Sequence, residues 1–216
     1  MTTNLSEEIK VVSIDPLSIA PAQSILYNAY KDNELLRHLL DADKQGYKQR
    51  LRSLIREDII THYTSANITL GLTLGRQIVG TAVVERAADP FNFFANWRWK
   101  WGMYSTVGYF RTQRLRRYYE QLHEVLEGVD HYWITFIGIH PDFQHHGLGP
   151  ILLDAIHNVC EKDPNYHGIS IDLCGQELEH FFEQKGYRKV ADIPVQDIVS
   201  EVYFHPREGE DWPFPN

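Results

Sequence analysis

The chain has 216 residues, of which 43% are hydrophobic and 23% charged, and its formal net charge at pH 7 is −8. A chain of this length buries roughly 70% of its unfolded surface without a metal or disulfide, so residues 1–216 are predicted to form a single α/β domain. The acidic balance argues against nucleic acid as the main partner, because a polyanion is bound by basic surfaces.

The compartment is predicted from three features of the chain. No apolar run approaches the roughly 18 residues of a membrane span, and the opening MTTNLSEEIK lacks the basic and apolar pattern of a signal peptide. The cysteines, Cys160 and Cys174, fit no metal-ligand spacing and suggest a reducing compartment. We therefore expect a cytoplasmic protein with no membrane partner and no bound metal.

The first part of the chain predicts strands and amphipathic helices. Residues 9–14 (IKVVSI) predict a strand, and the helix after it has an apolar stripe formed by Ala22, Ile25, Leu26, Ala29 and Tyr30. A second helical pattern runs from about Tyr47 to Ile59. Residues 68–74 and 77–84 predict a hairpin that turns at Gly75 and Arg76.

Residues 86–131 predict an insertion with an unusual composition. Aromatic residues crowd the segment FNFFANWRWKWGMY, and apolar residues from Leu115 to Leu126 then recur at helical spacing. The start of that helix is basic, with Arg111, Arg114, Arg116 and Arg117. Two interpretations remain open: the insertion is a wall of an acceptor pocket, or it covers a sheet face with its arginines in solvent.

A strand, a turn and a helix between Trp133 and Val159 organise the rest of the chain. WITFIGI predicts a buried strand, which Pro141 ends, and PILLDAIHNV predicts a helix. The turn between them is Gln144-His145-His146-Gly147-Leu148-Gly149, whose glycines permit positive φ and a close backbone approach. Amide N–H groups at the helix start then form an anion site suited to a pyrophosphate.

Two other phosphate motifs do not fit this turn. A P-loop requires Lys-Ser/Thr after its second glycine, whereas Pro150 and Ile151 follow here. A dinucleotide fingerprint requires a different order of glycines.

The last part of the chain predicts a strand, a short helix and a hairpin. Residues 168–173 (GISIDL) predict the strand, with Asp172 on the face opposite to Ile169 and Ile171. Residues 177–185 predict the helix, which the left-handed Gly186 ends. Residues 188–195 and 198–204 predict the hairpin, and the aromatic side chains of Trp212 and Phe214 are expected to dock the tail on the body.

The turn after the central strand resembles the acetyl-CoA motif of the GNAT superfamily of N-acetyltransferases, Q/R-x-x-G-x-G/A after a strand ending I-x-P. A second segment, FFEQKGYRKV, resembles the F-Y-E-x-x-G-F block of that family, in the expected order and separation. The H-Y-W start of the central strand, the long insertion and Asp172 are similar to the puromycin acetyltransferase-like branch. This narrower resemblance does not imply puromycin as the substrate.

The resemblance implies a GNAT-like α/β (α+β) fold, a mixed and mainly antiparallel sheet with a splayed parallel strand pair and flanking helices. It implies acetyl-CoA as co-substrate without a metal, with the pantetheine arm in the splay and the pyrophosphate on the turn. The residues that it assigns to coenzyme A are Ile137, Gly138, Ile139, Gln144, His145, His146, Gly147, Leu148, Gly149 and Phe182.

The implied reaction is direct attack by an amine, on a small molecule or a peptide, on the acetyl thioester. Asp172 is the predicted general base and Glu85 its competitor, although Asp172 as a structural carboxylate remains an alternative. The backbone N–H near Ile139 is the expected oxyanion donor. A non-catalytic acyl-CoA-binding module, used as a sensor or scaffold, is the rival function, and the sequence leaves the oligomeric state open.

Two positions depart from the family pattern. The tyrosine commonly proposed as general acid falls at Phe182, so Tyr187, Tyr166 or a water would replace it, unless the thiol leaves unaided. His145 and His146 stand where family members often carry Arg or Lys. We expect coenzyme A to draw a proton onto one of them on binding, so that affinity rises as pH falls from about 8 to 6.

Overall fold

A computed structural model describes residues 9–64, 67–87, 97–175 and 178–214, without the side chains of residues 62–64, 97 and 98. The first half contains β1 (Ile9–Ser13), α1 (Ile19–Tyr30), α2 (Glu34–Leu39), α3 (Tyr47–Thr64), β2 (Ile68–Leu74), β3 (Gln77–Arg86), α4 (Trp97–Thr106) and α5 (Tyr109–Val125). The second half contains β4 (His131–Ile139), α6 (Leu148–Cys160), β5 (Gly168–Leu173), α7 (Glu179–Gln184), β6 (Arg188–Val195) and β7 (Ile198–Pro206).

The strands form one seven-stranded sheet in the order β1-β2-β3-β4-β5-β7-β6. Every neighbouring pair is antiparallel except β4 and β5, which run parallel. The mixed, mainly antiparallel sheet with one parallel pair is therefore confirmed. No described helix is both long and apolar enough to cross a membrane.

The parallel pair separates part-way along its length. β4 and β5 are paired from His131 and Gly168 only as far as Ile134 and Ile171. Beyond that point β4 continues against β3 and β5 continues against β7. The predicted splay between the two strands is thus present, and its closed end lies at Ile134.

A β-bulge lies in β4 at the point where the splay begins. Val83 of β3 is opposite Phe136, whereas Val84 is opposite Ile134, so Thr135 is the additional residue on β4. A bulge bends its strand and increases the local twist. This extra residue helps to turn the second half of β4 away from β5.

The two faces of the sheet carry separate cores. Helices α1 to α5 cover one face, where Leu26, Leu54 and Trp99 are buried. Helices α6 and α7 cover the other, where Leu152, Ile169 and Ile171 are buried in one cluster. The side chain of Asp172 contacts α5 on the first face, which confirms the alternation predicted for β5.

Part of the insertion packs into the core of the protein. Trp99 is 1% exposed, and its indole Nε1 donates a hydrogen bond to Oδ1 of Asp58 on α3 at 3.0 Å. Trp101 on the same helix is 68% exposed. Residues 91–96 of the aromatic segment lie outside the described residues. Trp99 therefore belongs to the core beneath α3.

An acidic residue after α2 joins that helix to α5. Asp41 receives Arg111 Nε on one carboxylate oxygen at 2.8 Å and Arg114 on the other. Arg116 pairs instead with Glu120, one turn along α5. Asp41 thus fixes α5 against the end of α2 through Arg111 and Arg114. The side chain of Arg116 is 43% exposed and Arg117 is exposed to solvent, as the second interpretation of the insertion expected.

Sequence patterns gave the carboxyl-terminal part of the fold correctly. β5 matches residues 168–173, Gly186 has φ of +86°, and the terminal hairpin is formed by β6 and β7. The tail is docked by aromatic contacts, since the Trp212 and Phe214 rings lie 6.0 and 5.1 Å from that of Phe204.

Candidate active site

The turn between β4 and α6 contains two left-handed residues and leads into a helix N-terminus that has no side-chain cap. His145 has φ of +62° and Gly147 has φ of +75°, so both are left-handed, and α6 begins at Leu148. Gly147 occupies the N-cap position and gives the first turn no side-chain hydrogen bond. Amide N–H groups at the start of α6 are therefore available to an anion.

The space in front of this turn is empty of protein atoms. A Cβ placed on Gly147 would meet nothing within 4 Å, and one on Gly149 would meet only Cζ of Phe181 at 3.9 Å. Glycine at these positions therefore leaves room for a bound group beside the backbone.

A groove of about 640 Å³ runs from this turn along the free edge of β4. Residues of α1, β4, the turn and α7 line it: Ala29, Tyr30, Ile137, Gly138, Ile139, Phe143, Gln144, His145, Gly147, Leu148, Gly149, Pro150, Leu178, Phe181 and Phe182. Of the residues predicted to bind coenzyme A, the structure brings all but His146 to this groove. His146 instead places Nδ1 2.7 Å from the carbonyl oxygen of Gln144.

The lining has the two halves that an extended phosphorylated thiol would need. The walls beside β4 and α7 are apolar, whereas the turn supplies backbone amides. None of the described residues that line the groove is Lys or Arg. The anion end of the groove therefore depends on amide N–H groups and on the imidazole of His145.

The edge of β4 offers some of its backbone groups to the splay. The N–H of His140 donates to the carbonyl of Val79 on β3 at 2.7 Å. Because successive residues of an antiparallel strand point their polar groups to alternate sides, Gly138 also faces β3, whereas Ile137 and Ile139 face the splay. Of the three backbone positions predicted for pantetheine, Gly138 is therefore committed to the sheet.

Tyr30 is a groove residue whose role the sequence did not indicate. Its hydroxyl accepts a hydrogen bond from the N–H of Ile137 at 3.1 Å. Burial raises the pKa of Tyr30 well above its ordinary value, so the phenol keeps its proton. The apolar stripe of α1 included Tyr30 but gave no sign that its hydroxyl would reach β4.

The residues considered as general acids lie in different places. Phe182 is buried and lines the groove, with its ring 5.2 Å from that of Tyr187. Tyr187 shares a hydrogen bond with Nε2 of His157, and Tyr166 packs on Tyr132. Neither Tyr187 nor Tyr166 lines the groove. Among the described residues that line it, Tyr30 is the one tyrosine.

Asp172 lies at the closed end of the splay, one residue beyond the last β4–β5 pair. Its Oδ1 accepts a hydrogen bond from Trp133 Nε1 at 3.0 Å and its Oδ2 accepts one from the Tyr118 hydroxyl at 2.6 Å. Tyr118 also lies 2.7 Å from Oγ of Ser200. Burial raises the pKa of Asp172 above its ordinary value, although both hydrogen bonds favour the carboxylate.

Glu85 is placed less favourably for the same chemistry. It is 2% exposed and lies on β3 opposite Trp133, one strand away from the splay. It does not line the groove. It also does not line a smaller cavity, of about 30 Å³, that lies beside Asp172. The described residues contain no group of three or more His, Cys, Asp or Glu arranged to hold a metal ion.

Comparison with known proteins identifies similar chains. The model of a family described as "Acetyltransferase (GNAT) family" matches residues 33–187. No curated protein matches the chain at a significant level.

Solved structures of low sequence identity share the fold. A histone acetyltransferase HPA2 and related acetyltransferase from Corynebacterium glutamicum has a TM-score of 0.65 and 15% identity, covering 94% of this chain and 98% of its own. An agmatine N-acetyltransferase has a TM-score of 0.58 and 12% identity, covering 92% and 99%. The ribosomal-protein-S18-alanine N-acetyltransferase of Escherichia coli has a TM-score of 0.53 and 12% identity, covering 96% and 99%.

Proposed function

Because the chain belongs to the GNAT family of acetyltransferases, we propose that it is an N-acetyltransferase that moves an acetyl group from acetyl-CoA to an amine. The observation that carries the proposal is the groove of about 640 Å³, which joins the open turn before α6 to the free edge of β4. It combines an amide-lined anion site with an apolar channel that ends beside the splay.

The residues of the groove fit coenzyme A. His145 and the amides from Gly147 to Gly149 would hold the pyrophosphate, since hydrogen bonds to a charged group are worth about 1.5–3 kcal/mol each. Gln144, also expected there, instead donates its N–H to the carbonyl of Pro141 at 3.3 Å and its Nε2 to the carbonyl of Ile139 at 3.1 Å. The pantetheine arm would lie along the edge of β4 between Ile137 and Ile139, with Phe181 and Phe182 on its apolar side. Bound acetyl-CoA would supply the acetyl thioester as electrophile.

The chain's own groups support the remaining steps. The N–H of Ile139 points into the splay, where it would donate to the oxygen of the reacting carbonyl. Asp172 would receive the proton of the amine, and Glu85 is the second candidate. Phe182 stands where the family commonly has a tyrosine as general acid. Tyr30, the tyrosine that lines the groove, would instead donate a proton to the departing sulfur.

We propose that residues 1–216 act as a single acetyltransferase domain, in which the insertion at residues 86–131 forms the acceptor side. Its contribution comes from α5 rather than from the tryptophans of α4, because Tyr118 and Tyr119 line the cavity beside Asp172. The H-Y-W start of β4 supports a place in the puromycin acetyltransferase-like branch. The free cysteines Cys160 and Cys174 are compatible with a cytoplasmic enzyme.

The acceptor is a small-molecule or peptide amine. The similar structures include acetyltransferases of agmatine and of the alanine of a ribosomal protein, so the fold accommodates both kinds. A thiol-release assay with acetyl-CoA and a panel of small amines and peptides tests the proposal. Turnover of at least one amine, lost on removal of acetyl-CoA, is the expected result.

A non-catalytic acyl-CoA-binding module is the second candidate, and the observation in its favour is phenylalanine at position 182. Calorimetry with coenzyme A and acetyl-CoA separates the two functions. Tight binding of both without release of thiol to any amine would support the module and contradict the enzyme.

A further inference from the structure

A second, smaller cavity lies at the closed end of the splay. Its volume is about 30 Å³, and it is lined by Leu36, Leu39, Tyr118, Tyr119, Trp133, Thr135, Phe136 and Asp172. Phe136 also marks its border with the groove, because the Tyr30 ring packs edge-on against it at 5.0 Å and Ile137 follows in sequence. The cavity thus adjoins the part of the groove where the thioester would lie.

The electrostatic character of this cavity favours a cation. Asp172 is the one ionisable acid of the lining, and the described lining residues include no Lys, Arg or His. Tyr118 and Trp133 fix the carboxylate through one hydrogen bond to each oxygen. A carboxylate oxygen accepts more than one hydrogen bond, so Asp172 retains acceptor capacity for a ligand.

The aromatic walls of the cavity also favour a cation. Tyr119 and Trp133 pack against each other with ring centroids 5.3 Å apart, and Tyr118 and Phe136 complete the enclosure. The faces of aromatic rings carry negative electrostatic potential and attract an ammonium group.

Thr135 supplies an independent sign of a missing partner. It is the bulge residue of β4, its side chain is 8% exposed, and its Oγ1 is buried with no hydrogen-bond partner among the described residues. A buried hydroxyl without a partner carries a desolvation penalty that a bound N–H donor would remove. Thr135 and Asp172 line the same cavity.

We propose that this cavity binds the head group of an unbranched primary alkylammonium ion that has no carboxylate next to its nitrogen. This inference rests on the proposed acetyltransferase function and defines its acceptor class. Asp172 and Thr135 Oγ1 each accept an N–H of the head group, and the methylene chain lies outside the cavity.

The size and charge of the cavity select against other amines. A water-sized group needs about 10–15 Å³, so a cavity of about 30 Å³ takes a head group and little more. A branch on the first carbon would meet the aromatic walls. An α-amino acid would also bring its own carboxylate close to Asp172, where like charges repel in a poorly solvated site.

The test compares three amines of similar size: n-butylamine, sec-butylamine and norvaline, which is n-butylamine with a carboxylate on its first carbon. Binding to the full chain saturated with coenzyme A is measured by saturation-transfer NMR, and KM by thiol release. We expect n-butylamine to bind and to react at least about tenfold better than the other two, as one hydrogen bond to a charged group predicts.

Thr135→Val is the decisive variant, and Thr135→Ser is its control. Valine removes a hydroxyl that has no partner in the part of the chain that the structure describes, so the fold should be as stable as the parent. We expect Thr135→Val to weaken n-butylamine binding and raise its KM about tenfold, with Thr135→Ser near the parent and coenzyme A affinity unchanged in both. Unchanged n-butylamine binding in Thr135→Val would overturn the inference.

The two proposals fail in different ways. Acetylation of amines with no preference for n-butylamine, or with no dependence on Thr135, overturns the acceptor class and leaves the acetyltransferase function intact. Binding of n-butylamine that depends on Thr135, without acetylation of any amine, overturns the enzyme function and supports the ammonium site.

Discussion

The hydroxyl of Tyr118 lies 2.6 Å from Oδ2 of Asp172 and donates a hydrogen bond to it. With Trp133 on the other oxygen, the carboxylate has a fixed orientation towards the splay. This geometry is compatible with Asp172 as a general base and with Asp172 as a structural carboxylate. Asp172 acts as a base only if the nitrogen of a substrate reaches it.

Asp172→Asn separates these roles. The amide keeps the shape of the side chain but removes the basic site, so we expect kcat to fall at least about tenfold, with coenzyme A affinity unchanged. Activity should recover in part at high pH, where more of the acceptor is already deprotonated. Tyr118→Phe keeps the carboxylate and should lower kcat less, whereas Glu85→Gln should leave it near the parent value. A large loss in Glu85→Gln alone would transfer the role of base to Glu85.

Tyr30→Phe tests the phenol of the groove. The variant removes the acceptor of the Ile137 N–H and should destabilise the fold by about 1 kcal/mol. If Tyr30 protonates the departing sulfur, kcat should fall several-fold at neutral pH while KM for acetyl-CoA changes little. Comparison of acyl thioesters with more and less acidic thiols checks this, because the loss should be smallest for the most acidic thiol. An equal loss for all thioesters would remove Tyr30 as a proton donor.

Gly149→Leu tests the anion site without backbone strain. The Cβ at this position has room in the protein and leucine is a better helix former than glycine, so thermal stability should stay close to that of the parent. The rest of the side chain enters the groove at a position where the family motif has only Gly or Ala, and we expect coenzyme A affinity to fall at least about tenfold, the loss of one charge-assisted hydrogen bond. Calorimetry on the folded variant measures this loss. Parent-like affinity would place the pyrophosphate elsewhere.

Gly147 is a less suitable position for that test, because its backbone is left-handed. Its φ of +75° is strained for any side chain, so Gly147→Val should lose stability as well as affinity. The strain alone is worth about 1–2 kcal/mol. Chemical denaturation of Gly147→Val and of Gly149→Leu measures this loss of stability, which only Gly147→Val should show.

The pH dependence of coenzyme A binding should depend on His145 and not on His146. His145 lines the groove, whereas His146 does not. The pyrophosphate should draw a proton onto His145 as coenzyme A binds, so coenzyme A should bind more tightly as pH falls from about 8 to 6. Calorimetry in buffers of different ionisation enthalpy detects that uptake.

The matched variants are His145→Asn and His146→Asn, since asparagine tolerates the positive φ of position 145. Proton uptake should vanish in the first and persist in the second. A binding heat that is independent of the buffer in the parent protein would contradict the prediction.

Acid should destabilise the protein partly through His131. Burial lowers the pKa of His131 to about 4, despite the hydrogen bond of its Nδ1 to Val129. The ordinary pKa of histidine is 6.5, so between about pH 6.5 and pH 4 this side chain is protonated in the unfolded chain and neutral in the folded chain. The stability that this histidine contributes is therefore complete above pH 6.5 and is lost as pH falls towards 4.

Urea denaturation of the parent and of His131→Asn measures that contribution. The parent should lose about 2 kcal/mol more than the variant between pH 7.5 and pH 5. Buried acids such as Asp58 act with the opposite sign, because burial raises the pKa of Asp58, but they contribute equally to both proteins. Parallel curves for the two proteins would exclude His131.

The sequence predicted those elements whose signal is local and periodic. β5, α6 and the terminal hairpin have clear apolar periods and glycine or proline boundaries, and the glycines of the turn indicated the groove. α2 was missed because six residues are too few to show a period, although Asn33 caps it and accepts the N–H of Leu36. The patterns of β4 gave no indication of Thr135 as a bulge, since a bulge is a relation between two strands.

The same limit applies to the side chains around Asp172. Its place within a strand indicated an unusual acid, but Tyr118 is 54 positions away and reaches it only because α5 crosses that end of the sheet. The tryptophans of α4 were conspicuous in composition and suggested a pocket wall. Trp99 is instead a core residue, and its indole N–H donates a hydrogen bond to Asp58.

The ion pairs between Asp41 and α5 lie outside the cavity beside Asp172 but involve the helices that line it. One wall of that cavity comes from α2 and another from α5, and Asp41 with Arg111 and Arg114 links these two helices. We expect the loss of one of these charges to change the spacing of the two walls, and with it the choice of acceptor, without a change to any group beside Asp172.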